Sequence, residues 1–536
     1  MISFSASAGS STITVTDINH GAETGDFVTY TQAISLGGNI TADVLNQDYE
    51  ITKVDSSTYT IQARSTNKSQ IVPVLANSLD IGNGGFLTNG LYAIPSGYVA
   101  TTYGYGWGAG TWGTAPWGLA STTPVALIQR DWWFDNFDND LVMNIRKGAI
   151  YYWQRGSLPS PDTALNTRAV LLSSLAGAGD VPNKAMQILV SQNDKHLLAL
   201  GCQPYAGSAT DYDPLLIRWS NQDEPQMWTP LITNSAGFLR VSRGSEIIRG
   251  IATRQEILVF TNSSLYSLQF TGTLDVFALQ ELADNISIIG PRAVTTANNV
   301  TYWMGQDKFY VYSGQVQTLP CTLRQYVFQD INFNQVNQIV CGTNEGYTEI
   351  WWFYPSANSN WNDRYVIFNH LENVWYYGTL VRTAWLDTAL RSNPVAAYTG
   401  ENQQVGYEYQ HEVGTDDGDA PMTSYIQSSD YDLGDGEQFM LTRRLLPDFN
   451  FTNSTAATPT VTLTMRPKRF SGSAYANTAS DSQNVASTYA TLDQYTEQVF
   501  VRARGRQMAF KISSDGLGVQ WQSGSHRLDV RPDGKR

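Results

Sequence analysis

The sequence has few of the residues that usually carry metal sites, redox chemistry or cross-links. Of 536 residues, three are cysteines, five are histidines, and only 15% are charged. Cys202, Cys321 and Cys341 form no CxxC spacing and leave an odd number, which argues against a disulfide framework and a zinc site. A chain of this length can bury several cores without such help. We therefore predict neither a metal nor a cofactor.

Targeting signals and short catalytic motifs are also absent. The first residues, MISFSASAGSSTITV, contain no basic segment followed by an apolar core, and no stretch approaches eighteen apolar residues. This predicts a protein that folds in a cytosol and does not insert into a membrane. No GxxxxGK[ST], HExxH or GxSxG is found. A GxGxxG match at Gly108–Gly113 is rejected because Pro116 follows closely and no helix begins there.

Positive charge is scarce and unevenly placed. The formal net charge is −14 and the pI is near 4.8, which argues against a general nucleic-acid binder. Residues 437–536 nevertheless hold 13 Lys/Arg against 8 Asp/Glu. This end is expected to face an acidic partner, or else to carry ordinary solvated strand faces.

Aromatic residues are abundant, at 12%, and helical periodicity is sparse, so we predict an all-β protein. Residues 1–95 alternate Val, Ile, Thr and Tyr with polar residues between turn signals, which predicts a small β-sandwich or barrel. With eight Asp/Glu and three Lys/Arg, this domain is acidic.

A pair of strands joined by a polar turn recurs through residues 126–418 at a spacing typical of propeller blades. A lone hairpin cannot bury its face, whereas radial stacking can. We predict a β-propeller of six to seven blades, with hairpins of successive sandwiches as the alternative. The units are LVMNIRKGAIYYW, HLLALG with PLLIRW, EILVFTNSSLYSLQF, VTYWMGQDKFYVY, EIWWFY with RYVIFNHLENVWYYG, and VAAYTGENQQVGYEY.

Residues 419–536 contain strands separated by long Ser/Thr/Ala-rich connections, which predicts a C-terminal β-sandwich with extended loops. Its basic spots are Arg443-Arg444, Arg466-Pro-Lys468-Arg469 and the segment that holds Arg502, Arg504 and Arg506. Alternation places the last three on one strand face, where they could bind carboxylates or phosphates of a partner. The alternative is an exposed face with cross-strand ion pairs.

The connecting segment 96–125 contains a ladder of tryptophans, Trp107, Trp112 and Trp117, each followed by glycine. Indoles supply large rigid contact areas, and glycine lets the backbone lie close to a neighbour. We predict that the ladder joins modules or subunits, with packing against the first blade as the alternative. A membrane anchor is disfavoured because no basic residues flank the ladder.

Two runs of carboxylates are candidates for a glycan-cleaving pair or for calcium ligands. They are Asp135, Asp138 and Asp140, and Asp416, Asp417 and Asp419. Neither run reproduces a calcium loop, and Asp is common in turns for backbone reasons. We interpret both runs as turn residues and predict that the protein is not an enzyme.

Several longer segments resemble a group of structural proteins of tailed phages, similar to the tail nozzle of short-tailed phages, also called packaged-DNA stabilisation or tail accessory protein. The resemblance covers roughly residues 103–536. The N-terminal region that contains GAETGDFVTYTQA is similar to a small β insertion of virion proteins. Proteins of the group usually have another β segment ahead of this insertion, whereas this sequence begins inside it. The segments are the tryptophan ladder, DPLLIRWS, RQEILVFTNSSLYSLQF, DNISIIGPRAV, TYWMGQDKFYVYSGQVQTL, NEGYTEIWWFY and GRQMAFKISSDGLGVQWQSGSHRLDVRPDGKR.

The resemblance implies a non-enzymatic virion component of the tail, assembled in the host cytoplasm. It implies a homo-oligomeric ring, commonly of six copies, below the adaptor that joins the portal. Such a ring extends the DNA channel, retains packaged DNA and lets duplex DNA pass without sequence preference, and tail fibre or spike proteins are further partners. The rivals are a receptor-binding or glycan-cleaving propeller at the tail tip and a hub or baseplate protein of a longer tail.

Overall fold

The computed structural model describes most of the chain. The described residues are 2–18, 20–22, 24–67, 70–93, 101–103, 126–127, 129–155, 169–208, 211–273, 275–387, 393–399, 406–434, 436–475 and 487–535. They form an all-β protein of small antiparallel sheets, which confirms the predicted class. The chain divides into two compact units, Met1–Arg391 with Val395–Tyr409, and Ser392–Pro394 with Gln410–Arg536.

The N-terminal part of the first unit contains two main sheets, with strand orders β1-β2-β6-β5 and β4-β3-β9, and the hairpin β7-β8. Alternation along β2 buries Ile13 and Val15, which pack with Tyr59 and Ile61 of β6 in one core. One short helix, α1 (Ala42–Leu45), is capped by the Thr41 hydroxyl. The strands are β1 Ser3–Ala6, β2 Thr12–Thr16, β3 Phe27–Thr31, β4 Asp48–Glu50, β5 Thr52–Lys53, β6 Thr58–Gln62, β7 Arg64–Asn67, β8 Gln70–Pro73 and β9 Asn89–Ala93.

Five four-stranded sheets then follow one another along the chain, each with its strands in sequential order. A two-stranded sheet, β10 (Thr102–Tyr103) and β11 (Ala126–Leu127), precedes them. The strands of the five sheets are β12 Trp132–Phe137, β13 Asp140–Ile145, β14 Ile150–Trp153 and β15 Val170–Leu171; β16 Ala185–Ser191, β17 His196–Cys202, β18 Asp213–Trp219 and β19 Gly237–Arg240; β20 Ile247–Ala252, β21 Ile257–Thr261, β22 Ser264–Phe270 and β23 Phe277–Asp284; β24 Val294–Ala297, β25 Val300–Met304, β26 Phe309–Tyr312 and β27 Val316–Leu319; β28 Val340–Asn344, β29 Glu349–Pro355, β30 Asn362–Asn369 and β31 Val374–Thr379.

A three-stranded sheet completes this series, with β32 (Ala384–Leu386), β33 (Val395–Thr399) and β34 (Gly406–Gln410). The described helices between the sheets are short. They are α2 Arg324–Asp330 and the 3-10 helices Leu172–Ser174, Phe333–Gln338 and Glu345–Tyr347. None of the described helices is long and apolar enough to span a membrane.

Four of the predicted strand pairs are the two middle strands of a four-stranded sheet, the fifth unit covers β29 and β30 with the outer strand β31, and the sixth forms β33 and β34. EILVFTNSSLYSLQF, for example, forms β21 and β22, which pair Phe260 with Leu265 across the turn. The Thr261 hydroxyl accepts a hydrogen bond of 2.9 Å from the Ser264 N–H, so the polar turn is closed by its own first residue. Because both faces of β21 and the first part of β22 are covered, their sequences are strong apolar runs, whereas the last strand of this sheet, β23, is mostly exposed or half-buried and mixes polar and apolar residues.

Neighbouring sheets share buried cores, and in four of the five neighbouring pairs in the described part of the chain the first strands lie side by side. Strand β12 contacts β16, β16 contacts β20, β24 contacts β28, and β28 contacts β32. Polar side chains join these strands: the Gln187 amide donates to the Gly250 carbonyl at 2.8 Å and accepts from the Gly250 N–H at 2.7 Å. A Cβ at Gly250 would lie 2.3 Å from a methyl carbon of Leu200, so this close approach requires glycine.

A buried charge cluster links the first and fourth of the five sheets. Asp131, just before β12, accepts from Arg146 at 2.9 Å and from Arg292, just before β24, at 2.7 Å. Arg292 also donates to the Trp132 carbonyl. Because Asp131 is 10% exposed and Arg146 is 7% exposed in their side chains, this ion pair is shielded from water. Asp131 and Arg292 are thereby joined although the second and third sheets lie between them in the sequence.

The second unit contains two larger sheets, with strand orders β37-β43-β40-β41 and β42-β38-β45, that share one core. Met465 of β40 and Met508 of β43 pack in that core with Met440 of β38 and Val501 of β42. The strands are β35 Asp416–Asp417, β36 Ala420–Pro421, β37 Ser424–Gln427, β38 Met440–Leu446, β39 Phe449–Asn450, β40 Thr460–Lys468, β41 Thr488–Asp493, β42 Val499–Gly505, β43 Gln507–Ser514, β44 Gln522–Ser523 and β45 Arg527–Pro532.

Candidate assembly surface

The outer face of sheet β42-β38-β45 is built by strict alternation along β42. Val501 and Ala503 are buried in the core of the second unit, whereas Arg502 is exposed and Phe500 is 77% exposed. Successive side chains of a strand point to opposite faces, so the residues between the buried ones form the outward face. The predicted alternation of Arg502, Arg504 and Arg506 is thus present in the backbone pattern.

Cross-strand pairing brings further arginines to the same face. Leu441 of β38 lies between Arg504 and Arg531, and Arg444 lies between Phe500 and Asp529. A bulge near Arg443 adds an exposed residue there. We call this surface the arginine face. Its arginines are Arg443, Arg444, Arg502, Arg504, Arg506, Arg527 and Arg531.

Two of the three arginines predicted as interface residues are held by their own chain. Arg504 forms an ion pair with Asp533 at 2.5 Å, and its guanidinium lies 4.3 Å from the centre of the Phe439 ring. Arg506 lies 5.0 Å from the same ring and donates to the Glu437 carbonyl at 3.1 Å. These contacts orient both guanidinium groups, as in the alternative of an exposed face with cross-strand ion pairs.

Other arginines of this face have no acidic partner. Within the described part of the chain, Arg443, Arg502 and Arg527 form neither an ion pair nor a side-chain hydrogen bond. Arg444 makes only a long bond of 3.4 Å to the Gln498 side chain. Exposed guanidinium groups without carboxylates leave a net positive face that can accept anionic groups from outside. The sequence signal for Arg443 and Arg502 was local, whereas Arg527 joins them only through strand pairing.

The third basic spot lies on the other sheet of this unit. Arg466 lies 4.0 Å and Lys468 lies 4.4 Å from the centre of the Tyr475 ring, and Lys468 forms an ion pair with Asp430 at 2.5 Å. These cations are already engaged by neighbouring side chains. The basic segments named from the sequence therefore divide between two different sheets.

The tryptophan ladder, Trp107, Trp112 and Trp117, lies outside the described residues, so its predicted interface role stays a prediction. The same holds for the assembly role of Arg502, Arg504 and Arg506, whose positions are known but whose partner is not.

The first carboxylate run supports the fold. Asp135 accepts a hydrogen bond of 2.8 Å from the Val190 N–H of the next sheet, and burial raises the pKa of this carboxyl above its ordinary value. Asp138 forms an ion pair with Lys195. Asp140 accepts from the Tyr152 hydroxyl, which is part of the same sheet. Each carboxylate therefore has a structural contact of its own.

The second run lies in the other unit, on the hairpin β35-β36. Asp416 accepts from the Gly518 N–H at 2.7 Å, and Asp417 pairs with Ala420 beside Gly418, whose φ of 62° favours glycine. Among the described residues, no group of three or more His, Cys, Asp or Glu side chains is placed to hold a metal ion. The turn interpretation of Asp416, Asp417 and Asp419 agrees with this geometry.

A cleft of about 290 Å³ lies beside the second of the five sheets. Asp180 and Asp211 both line it, together with Tyr205, whose ring lies 5.1 Å from that of Phe238. Asp180 is held by Arg218 at 2.8 Å, and Asp211 pairs with Lys184. An exposed aromatic ring beside polar groups is a surface on which a sugar can stack.

No protein-family model matches the chain, and no curated protein is similar to it in sequence. Among solved structures, it is similar to an auxiliary nutrient binding protein from Bacteroides ovatus, with 10% identity and a TM-score of 0.31 over 77% of this chain and 98% of that one. It is also similar to the phage phi92 endosialidase, with 11% identity and a TM-score of 0.17. That match covers 79% of this chain and 58% of the endosialidase.

Proposed function

We propose that the chain is a structural subunit of a phage tail, in a nozzle ring that extends the DNA channel below the portal adaptor. The observation that carries the proposal is the contrast between two sets of charged side chains. Four of the six carboxylates in the two acidic runs, Asp135, Asp138, Asp140 and Asp416, form contacts within the fold, whereas cations without carboxylates gather on the arginine face. A surface of that kind serves contact with another macromolecule better than it serves a reaction. The segments that resemble nozzle proteins supply the context.

The series of small sheets supports a propeller in our proposal. We take the five four-stranded sheets and the following three-stranded sheet as blades, with the first strand of each blade innermost. The side-by-side contacts of β12 with β16 and of β16 with β20 agree with this arrangement. The contact of Asp131 with Arg292 gives the first and fourth blades a common anchor near the axis.

The acidic balance of the chain suits a conduit for duplex DNA. Outside residues 437–536 the chain carries most of its acidic excess. A wall of that sign repels phosphates instead of releasing their counterions, so DNA slides past with little binding. Portal adaptor and tail fibre or spike proteins would then contact the ring on its outer surfaces.

Electron microscopy of the chain mixed with its portal adaptor tests this function. We expect a closed ring with a central channel, and the same ring in the intact tail. A single copy per tail, or a channel lined mainly by arginine and lysine, would overturn the proposal. A parallel measurement of affinity for a 30-base-pair duplex should show weak binding with a shallow salt dependence, because few phosphates are neutralised.

The cleft at Tyr205 supports a second candidate, a receptor-binding or glycan-cleaving tail-tip protein. A glycan array and a polysaccharide depolymerisation assay would detect either activity. Tyr205→Ala should abolish binding if the cleft holds a sugar, whereas Tyr489→Ala, on the second unit, is the control because it is 65% exposed and distant in sequence. Absence of binding and cleavage would remove this candidate.

A further inference from the structure

The outer face of the N-terminal sheet β4-β3-β9 is a second surface of mixed apolar and charged character. Glu50 pairs with Phe27, and Asp48 pairs with Thr29, which in turn pairs with Leu91. Phe27 is 41% exposed and Leu91 is 72% exposed, and both carboxylates are on exposed residues. We call this surface, formed by Phe27, Thr29, Asp48, Glu50 and Leu91, the acidic face.

Arg64, a cation beside this surface, is held by groups other than the two carboxylates. Arg64 donates to the backbone carbonyl of Asp48 and lies over the Tyr49 ring at 5.6 Å, so its contacts are with carbonyl and ring and not with the Asp48 carboxylate. Residues 1–95 contain eight Asp/Glu against three Lys/Arg. The acidic face therefore belongs to a domain with an excess of negative charge.

The two faces have the same sheet architecture and an opposite excess of charge. Each is the outward side of a three-stranded antiparallel sheet, and each exposes one phenylalanine, Phe500 or Phe27, beside an excess of one sign of charge. Asp529 also lies on the arginine face, where it pairs with Arg531 at 3.6 Å, so the arginines without a carboxylate carry the positive excess. Burying charged groups is favourable only when they meet opposite charges and hydrogen-bond partners. Phenylalanine and arginine are among the residues enriched in protein interfaces.

From this complementarity we infer that the arginine face of one copy docks on the acidic face of a second copy of the chain. The inference rests on the proposed ring, since it assigns the contact that would hold neighbouring subunits together. A contact between two different faces repeats from copy to copy and closes into a ring when the rotation permits. Duplex DNA is the less suitable occupant, because Phe500 gains nothing from phosphates and the net charge of −14 opposes their approach.

Reciprocal charge reversal tests the contact. Arg502→Glu and Glu50→Arg should each weaken self-association at least about tenfold in sedimentation velocity at low salt, because each places like charges opposite one another. A chain with both substitutions should recover much of the loss. Arg466→Glu, on the other sheet, is the control and should associate like the wild type.

Mixing the two single variants gives the sharpest result. In an equimolar mixture, the reversed site of each variant meets a compatible partner on the other variant, so alternating assemblies should form although neither variant assembles alone. Association that is insensitive to both substitutions, or a wild-type chain that stays monomeric at its highest soluble concentration, would overturn the docking. Tight binding of a 30-base-pair duplex that Arg502→Glu abolishes, with association unchanged, would overturn it in favour of nucleic acid.

Different experimental outcomes would contradict the docking and the proposed ring function. A ring with a channel in the intact tail whose subunits meet through other surfaces would contradict the docking and leave the proposed function standing. A single copy per tail, with copies that still associate in solution through Arg502 and Glu50, would contradict the function and leave the docking standing.

Discussion

The two units use arginine in opposite ways. In the first unit, Arg218 is 1% exposed and forms an ion pair with Asp180 at 2.8 Å, and Arg146 is held by Asp131. In the second unit, Arg443 and Arg502 are exposed and have no carboxylate among the described residues. A buried guanidinium without its partner is costly, whereas an exposed one is solvated at little cost. We therefore expect substitution of Arg218 or Arg146 to change the stability of the first unit, and substitution of Arg443 or Arg502 to change association.

The largest effect is expected at Arg218. Replacement by alanine should lower the free energy of unfolding by about 3–5 kcal/mol, because Asp180 would lose its ion pair and the carbonyls of Gln203 and Trp228 their donor. Urea denaturation measures the change. Arg240→Ala, on the neighbouring strand, removes an ion pair with Asp213 whose arginine is 57% exposed and should cost at most about 1 kcal/mol. Equal losses for the two variants would contradict the distinction.

Asp131→Asn should have the next largest effect, about 2–3 kcal/mol, because Arg146 and Arg292 would share a neutral amide in place of a carboxylate. Chemical denaturation, followed through the unfolding transition of the first unit, measures this change in the free energy of unfolding. The control is Asp138→Asn, whose ion pair with Lys195 is considerably exposed. A stability unchanged by Asp131→Asn would mean that the link between the first and fourth sheets is not needed.

His196 should make the first unit sensitive to acid. Burial lowers its pKa below the ordinary value, although Asp194 and Asp223 act in the opposite direction. The unfolded chain then binds a proton more readily than the folded chain, so stability is lost as the pH falls from about 6.5 toward the folded pKa. Thermal melts at pH 8 and pH 5 should differ less for His196→Gln than for the wild type. An identical pH dependence in both proteins would refute this role.

The smallest effect on stability is expected at Arg502. Arg502→Gln should change the free energy of unfolding by less than about 0.5 kcal/mol, since the side chain has no described partner to lose. Differential scanning calorimetry checks this. A large loss of stability would show that the arginine has a role inside its own unit, and it would weaken the contrast between the two regions.

The sequence predicted the middle of each sheet better than its edges. VTYWMGQDKFYVY became β25 and β26 because both strands are rich in buried aromatic and β-branched residues. Strand β20, IIRGIA, contains an arginine and a glycine that contact residues of other sheets. Arg249 stacks over Trp133 at 4.2 Å, and the absence of a side chain at Gly250 leaves room for Leu200. Local patterns carry no information about such partners. The domain boundaries and the blade count stay predictions.

The arginine face was predicted only in part for the same reason. Arg502, Arg504 and Arg506 could be placed on one face by counting along a single strand. Arg531 lies on that face because its strand pairs with β38 at Leu441, which is far away in the sequence. The segment RLDVRP mixes charged and apolar residues, so its pattern does not predict this pairing. The contacts that hold Arg504 and Arg506 against Phe439 likewise depend on a loop outside their strand.

The bond between Asp131 and Arg292 spans 161 residues, which has a consequence for synthesis on the ribosome. Asp131 emerges early, with Arg146 as its nearby cation, and must wait until the second and third sheets have been translated before Arg292 can reach it. A nascent chain stalled before that point would hold its first sheet without the anchor. Rare codons or a pause ahead of residue 292 would therefore prolong the interval in which this part of the polypeptide is open to proteolysis and mispairing.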